Sequence, residues 1–145
     1  MRIMKMQALP CYCSTLRQAA RAATALYEEV LAEAGVHATQ FGALQLIDSA
    51  PNLTTTELAQ AIGIDQTTAT RTLALIKRNG LATDTVGQDR RQRRWSLTSK
   101  GREQLRKSKS LWQAAQTAFE KRVGRTEAVA LRHAAYLAAT RLASE

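Results

Sequence analysis

The sequence predicts a mainly α-helical chain carrying one small β-hairpin, an α+β fold. Three observations predict it. Apolar residues recur at three- and four-residue spacing in segments parted by Gly35, Pro51, Gly63, Gly80 and Gly124. The stretch from Leu81 to Leu97 instead reads as strand, turn and strand, with Trp95 and Leu97 on one face by the two-residue period. Hydrophobic residues make up 45% of the 145, enough for a core, which excludes wholesale disorder. This length suits one domain, or one domain with a dimerisation element.

In chain order, residues 1 to 10 read as a loose arm ending at Pro10. A long helix follows from Cys11 to Ala34, with Leu16, Ala20, Ala23, Tyr27, Val30 and Ala34 forming one narrow apolar stripe. Gly35 ends it. Gln40 to Ser49 gives a second helix with Phe41, Leu44 and Ile47 inward, and Pro51 breaks it. Thr54 and Glu57 have the spacing of a capping box, which starts a third helix with Leu58, Ala59 and Ile62 apolar and Gly63 as its end. Asp65 is the natural N-cap of a fourth helix, which buries Ala69, Leu73 and Ile76 and stops at Gly80.

Leu81 to Val86 is the first strand, Gly87 to Gln92 the turn and Arg93 to Leu97 the return strand. Thr98 caps a long helix to about Val123. Gly124 parts it from a last helix, about Thr126 to Leu142, striped with Leu131, Ala135, Ala138 and Leu142.

The fourth helix buries one side and offers Gln66, Thr67, Thr68, Thr70 and Arg71 on its first turns, side chains able to read base edges in a major groove. The bland alternative is an ordinary surface helix pair. Charge decides between them. The net charge is +9, and Arg71 to Lys109 holds twelve Lys or Arg against Asp84, Asp89 and Glu103, so the rest of the chain is neutral. Such confinement fits phosphate contact and counterion release. A membrane-surface helix would set bulky apolar residues opposite the charge, and the hairpin does not.

The segment DRRQRRWSLTSKG after a helix-turn-helix resembles the wing of MarR-family regulators and their LTxxG helix start. The resemblance covers nearly the whole chain and implies a winged helix-turn-helix with terminal dimerisation helices. Residues 39–97 would be the DNA-binding region, and 11–34 with 98–145 the dimerisation region. It implies that Arg90, Arg91 and Arg93 contact DNA from the wing, with Arg91 in the minor groove and Asp89 holding the wing arginines. It also implies a homodimer on a palindromic operator, and an inducer pocket lined by Leu16, Phe41, Leu44 and Trp112.

Cys11 and Cys13 are the only cysteines and lie together at the start of the first helix, where free amides favour thiolate. Two positions apart within a helix, they would point to different sides and not bridge. In the organic-peroxide-sensing branch of the family, a reactive cysteine here is followed by Arg eight on and Tyr fourteen on. Counting from Cys13 gives Arg21 and Tyr27, while the helper tyrosine four on is Arg17. Redox sensing, a soft-metal site and simple packing stay open for the pair.

His37 and His133 are isolated, and no paired carboxylates, nucleophile triad, phosphate loop or zinc signature occurs. The expectation is therefore no enzyme, no metal and no cofactor. No run of about 18 apolar residues occurs and the start lacks a long apolar segment, so a cytoplasmic protein without a membrane partner is expected. The reading is a dimeric sequence-specific DNA-binding transcriptional regulator, a repressor released by a small ligand or by thiol oxidation. A thiol-dependent redox enzyme and a non-specific DNA-binding architectural protein are the alternatives.

Overall fold

The computed structural model describes residues 5–144. Among them the chain forms α1 (Tyr12–Leu31), α2 (Ala38–Ser49), α3 (Thr55–Ile62), α4 (Gln66–Arg78), β1 (Ala82–Val86), β2 (Arg93–Leu97), α5 (Ser99–Val123) and α6 (Arg125–Leu142). The expected mainly α fold with one hairpin is present. The first helix is shorter than its stripe, because Ala32–Ala34 tightens into a 3-10 turn closed by Gly35 at φ 68°. Residues 1–4 of the expected arm lie outside the described residues. Residues 5–10 are not loose but run beside α1, where Thr15 Oγ1 donates to the Leu9 carbonyl at 3.1 Å and Gln18 Nε2 to that of Gln7 at 3.0 Å.

Helix starts follow the sequence chemistry. Thr54 Oγ1 accepts from the Glu57 N–H, and Glu57 Oε2 accepts from the Thr54 N–H at 2.7 Å, completing the box. Asp65 Oδ1 accepts from the Thr68 N–H at 2.8 Å. At the end of α4, the Gly80 N–H reaches Lys77 O and the Leu81 N–H reaches Ile76 O, with Gly80 at φ 73°. That is a Schellman stop, which needs a residue free of the Cβ penalty in the left-handed region. The start of α2 is held from outside: Glu28 Oε1 on α1 accepts from the Ala38 N–H at 2.8 Å.

Two apolar clusters make the core. Ala43, Leu44, Ile47, Leu58, Leu73, Ile76, Leu81, Ala82 and Trp95 join α2, α3, α4 and the hairpin. Leu31, Val36 and Phe41 form the second, backed by Tyr27 and Trp112. Leu105 of α5 packs on both, so the long helix ties the two together.

The hairpin pairs Ala82 with Leu97 through Val86 with Arg93. Asn52, the one non-glycine at positive φ among the described residues (71°), turns the chain so that Leu53 O accepts from the Trp95 N–H and Trp95 O accepts from the Asn52 N–H. Trp95 is buried, and its Nε1 donates to Thr55 Oγ1 at 2.9 Å. The wing is thus bonded to the segment that starts α3.

Thr98 closes the module. Its Oγ1 accepts from the Gly101 N–H at 2.9 Å and donates to the Gly80 carbonyl at 2.6 Å. A Cβ on Gly101 would stand 1.9 Å from Leu81 O, so the first turn of α5 meets the backbone of Leu81, in the link between α4 and β1. We predict that Gly101→Ala lowers stability by about 1–3 kcal/mol, the usual range for an overpacked core. A thermal melt indistinguishable from wild type would contradict this.

Candidate nucleic-acid interface

The third and fourth helices meet through Ala59, Ala69 and Leu73, all buried, which leaves the other side of α4 to solvent. Thr67, Arg71, Ala74 and Arg78 lie along that side at four-, three- and four-residue spacing, and all are exposed. Gln66 and Thr70 flank them, also exposed. Two of the five predicted reading residues are already engaged. Thr68 Oγ1 donates to Asp65 Oδ2 at 2.6 Å, and Thr70 Oγ1 donates to the Gln66 carbonyl at 2.8 Å. Each hydroxyl keeps only lone pairs for a ligand, whereas Gln66, Thr67 and Arg71 keep their donors.

The Thr68 hydroxyl beside Asp65 holds that carboxyl below its ordinary range, and the Thr54 N–H does the same for Glu57. Both caps are therefore ionised at neutral pH.

At the wing tip, Asp89 Oδ1 accepts from the backbone N–H of Arg91 at 3.0 Å, and the Gln92 N–H reaches Asp89 O. Asp89 shapes the turn through its carboxylate and its carbonyl, and holds Arg91 by the backbone N–H; among the described residues it forms no ion pair with a wing guanidinium. The Arg90 and Arg91 side chains are exposed.

Many of the remaining cations are committed inside the protein. Arg93 and Lys77 pair with Asp84 at 3.6 and 2.6 Å. Arg94 donates to the Asn52 carbonyl, Lys100 to Asn79, and Arg102 to Leu97. Arg106 and Lys107 pair with Glu103. Between Arg71 and Lys109, the described cations without such a partner are Arg71, Arg78, Arg90 and Arg91, on α4 and the wing tip, and Lys109 on α5. Arg78 and Asp84 were not singled out from sequence; the four-residue step from Ala74 was the available signal for Arg78.

A MarR family model matches residues 34–92. The M. tuberculosis transcriptional regulator MosR, solved in complex with DNA, is 38% identical over 88% of this chain and 98% of that chain, with a TM-score of 0.70. The chain belongs to the MarR family. The transcriptional repressor CouR, solved on a 23-mer DNA duplex, is 26% identical over 89% of this chain and 92% of that one, at a TM-score of 0.77. MarR of E. coli shares the fold at 21% identity, with 91% and 98% covered and a TM-score of 0.71. No curated protein matches the chain.

In this MarR-family chain, Cys11 and Cys13 are both exposed. Cys11 is not within the helix but is its N-cap, at φ −112° and ψ 118°, so the argument that two helical positions keep the pair apart does not apply. The backbone N–H of Ser14, helped by its hydroxyl, holds the Cys11 thiol below its ordinary value. Tyr27 is fourteen residues of helix from Cys13, about 21 Å at 1.5 Å per residue, so the two do not meet within a protomer. The Tyr27 hydroxyl instead donates to Gln116 Oε1, and burial pushes its phenol up.

The four pocket candidates do not share one cavity. Phe41 and Trp112 stack with ring centres 6.1 Å apart, Leu44 is fully buried in the other cluster, and Leu16 lines a separate groove. That groove, about 850 Å³ between α1, α5 and α6, is apolar along Ala20, Ala23, Phe119, Val123, Leu131 and Ala135. Among the described residues no three His, Cys, Asp or Glu side chains gather as a metal site, and no helix is long and apolar enough to cross a membrane.

The Lys77 ammonium bonded to Asp84 holds that carboxyl below its ordinary range, with Arg93 adding to it. A depressed carboxyl stabilises the fold fully above its unfolded value, about 4, and loses that contribution as the pH falls through the lower folded value. The melting gap between wild type and Asp84→Asn should therefore be widest at neutral pH and close toward about pH 3. A gap constant across that range would contradict the assignment.

Proposed function

We propose that the protein is a dimeric, sequence-specific DNA-binding transcriptional regulator, a repressor released from its operator by a small ligand or by thiol oxidation. The observation that carries the reading is the placement of uncommitted cations. Arg71, Arg78, Arg90 and Arg91 lie on the exposed side of α4 and on the wing tip, beside Gln66 and Thr67. Recognition helix in the major groove and wing arginine in the minor groove is the docking this layout supports. MosR and CouR, both solved on DNA, support it by kinship.

Dimerisation is supported by α6, of which Ala128 alone is buried while Val129, Leu131, Tyr136 and Leu142 are exposed. Leu131 lines the α1 groove, and exposed apolar side chains gathered on one helix favour cover by a second copy. Two-fold symmetry would set the recognition helices one DNA turn apart, about 34 Å, on a palindromic operator. A thiol enzyme is less well supported, since His37 pairs with Glu28 at 2.9 Å and not with a cysteine. An architectural protein would need no polar reading face.

The test is selection from random duplexes with the wild-type protein. A single palindromic site should emerge, and its affinity should fall steeply with salt, by about −0.9 in log–log slope per phosphate contact. Arg91→Ala should weaken the selected site by about 1–3 kcal/mol without lowering the melting temperature, and Arg71→Ala should relax the preference at one base position. Failure to enrich any sequence would overturn the reading.

Thiol oxidation, expected first at Cys13, is assigned instead to Cys11, whose thiol is held below its ordinary value and is exposed at the head of α1, which borders the uncovered groove. The Cys11 thiolate would attack the outer oxygen of a peroxide, breaking the O–O bond, releasing the alkoxide or hydroxide and leaving a sulfenic acid. A second thiol, Cys13 or one across the dimer, would then attack that sulfur and close a disulfide, its proton leaving with the hydroxyl as water. DNA binding by wild type, Cys11→Ser and Cys13→Ser, with and without peroxide and with intact mass recorded, tests it. Release by wild type and retention by Cys11→Ser is expected. Retention by all three after confirmed oxidation would leave a small ligand as the inducer.

A further inference from the structure

By the two-residue period, Asp84 shares the inward face of the hairpin with Ala82, and it stands directly opposite Trp95. Its side chain is only 8% exposed, the wrong place for a lone carboxylate, because burying an unpaired charge is strongly unfavourable. The charge is met from two elements at once. Lys77, on the last turn of α4, reaches Oδ1 at 2.6 Å, and Arg93, the first residue of the return strand, lies 3.6 Å from Oδ2. Both cations keep about half their side chains in solvent, at 54% and 52% exposure.

From this geometry we infer that Asp84 is a positioning residue for DNA recognition, pinning the wing to the recognition helix and withdrawing Lys77 and Arg93 from phosphate contact. The inference rests on the DNA-binding reading. It concerns specificity: one buried carboxylate sets the angle between the two reading elements and lowers affinity for any duplex, whatever its sequence. Base contacts specify only when both elements are held in register, while phosphate contacts are indifferent to sequence.

The experiment uses the duplex selected by wild type and a scrambled duplex of equal length, titrated at several salt concentrations with wild type and Asp84→Asn. Freed of its carboxylate partner, the variant gains phosphate contacts. Its affinity for the scrambled duplex should rise, its salt slope steepening by about −0.9 for each cation released. Affinity for the selected duplex should not rise in step, so the ratio of selected to scrambled affinity should fall about tenfold, the loss of roughly one base-pair's discrimination.

Lys77→Gln and Arg93→Gln, which leave the acid in place and test the pin from its other ends, should lower that ratio without raising scrambled affinity. Asp84→Glu should restore part of it. A parallel rise for both duplexes would show that Asp84 is only a charge, and a parallel fall with a lower melting temperature that it is only packing; either overturns the proposal. If Asp84→Asn does not fold, an unchanged ratio in both glutamine variants overturns it equally. Wild type that selects no sequence would instead bring down the regulator reading on which the proposal rests.

Discussion

α5 starts so close to the link between α4 and β1 that the carbonyl of Leu81 fills the space a side chain on Gly101 would need. Three things meet there: the link that follows α4, the start of the hairpin and the head of the longest helix. Thr98 joins them with one hydroxyl, accepting from Gly101 and donating to Gly80. Since Leu105, one turn further along α5, touches both core clusters, a shift of α5 cannot be absorbed at that contact. Close-packed interiors transmit such displacements rather than damping them. The orientation of α4 and the hairpin is therefore set by where α5 lies.

The wing obeys a second constraint, that a basic hairpin must not fly off under its own repulsion. Its return strand carries Arg93 and Arg94, and neither is left to solvent alone. Arg94 is spent on the Asn52 carbonyl and Arg93 on Asp84. Trp95, next along the strand, is bonded through backbone to Leu53 and through its indole to Thr55. The strand that carries the charge is thus the best anchored part of the hairpin, and the repulsion is concentrated at the tip. There Arg90 and Arg91 project from a turn that Asp89 folds through a backbone N–H.

Local chemistry was legible in the sequence because it acts over a few residues. The Thr54–Glu57 box, the Asp65 cap and the Gly80 stop are each fixed by near neighbours, and each stands where the pattern placed it, as does the inward Trp95 that the two-residue period marked. Contacts between distant segments were not legible. Glu28 caps a helix ten residues away, and Asn52 reaches a strand forty-two residues on. Asp84 reads as a surface charge until the hairpin register turns it inward. The four pocket candidates were chosen as apolar residues of the right helices. Packing sorts them into a core stack, a core interior and an outer groove, because helical periodicity gives the side of a helix and not its neighbour.

The uncovered face of α1 and α6 bears on regulation through the same mechanics. In the proposed dimer this face would be the interface, and α5 lies beside it, lining the groove with Phe119 and Val123. α5 also ends at the Gly101 contact. A change in how two copies pack along α1 and α6 would then move α5, and α5 can move only with α4 and the wing. The free energy required is small, since about 1.4 kcal/mol alters an equilibrium tenfold. An inducer needs only that much preference for the spacing that does not fit DNA. The rigidity that aligns the reading elements is therefore also what would let a distant event misalign them together.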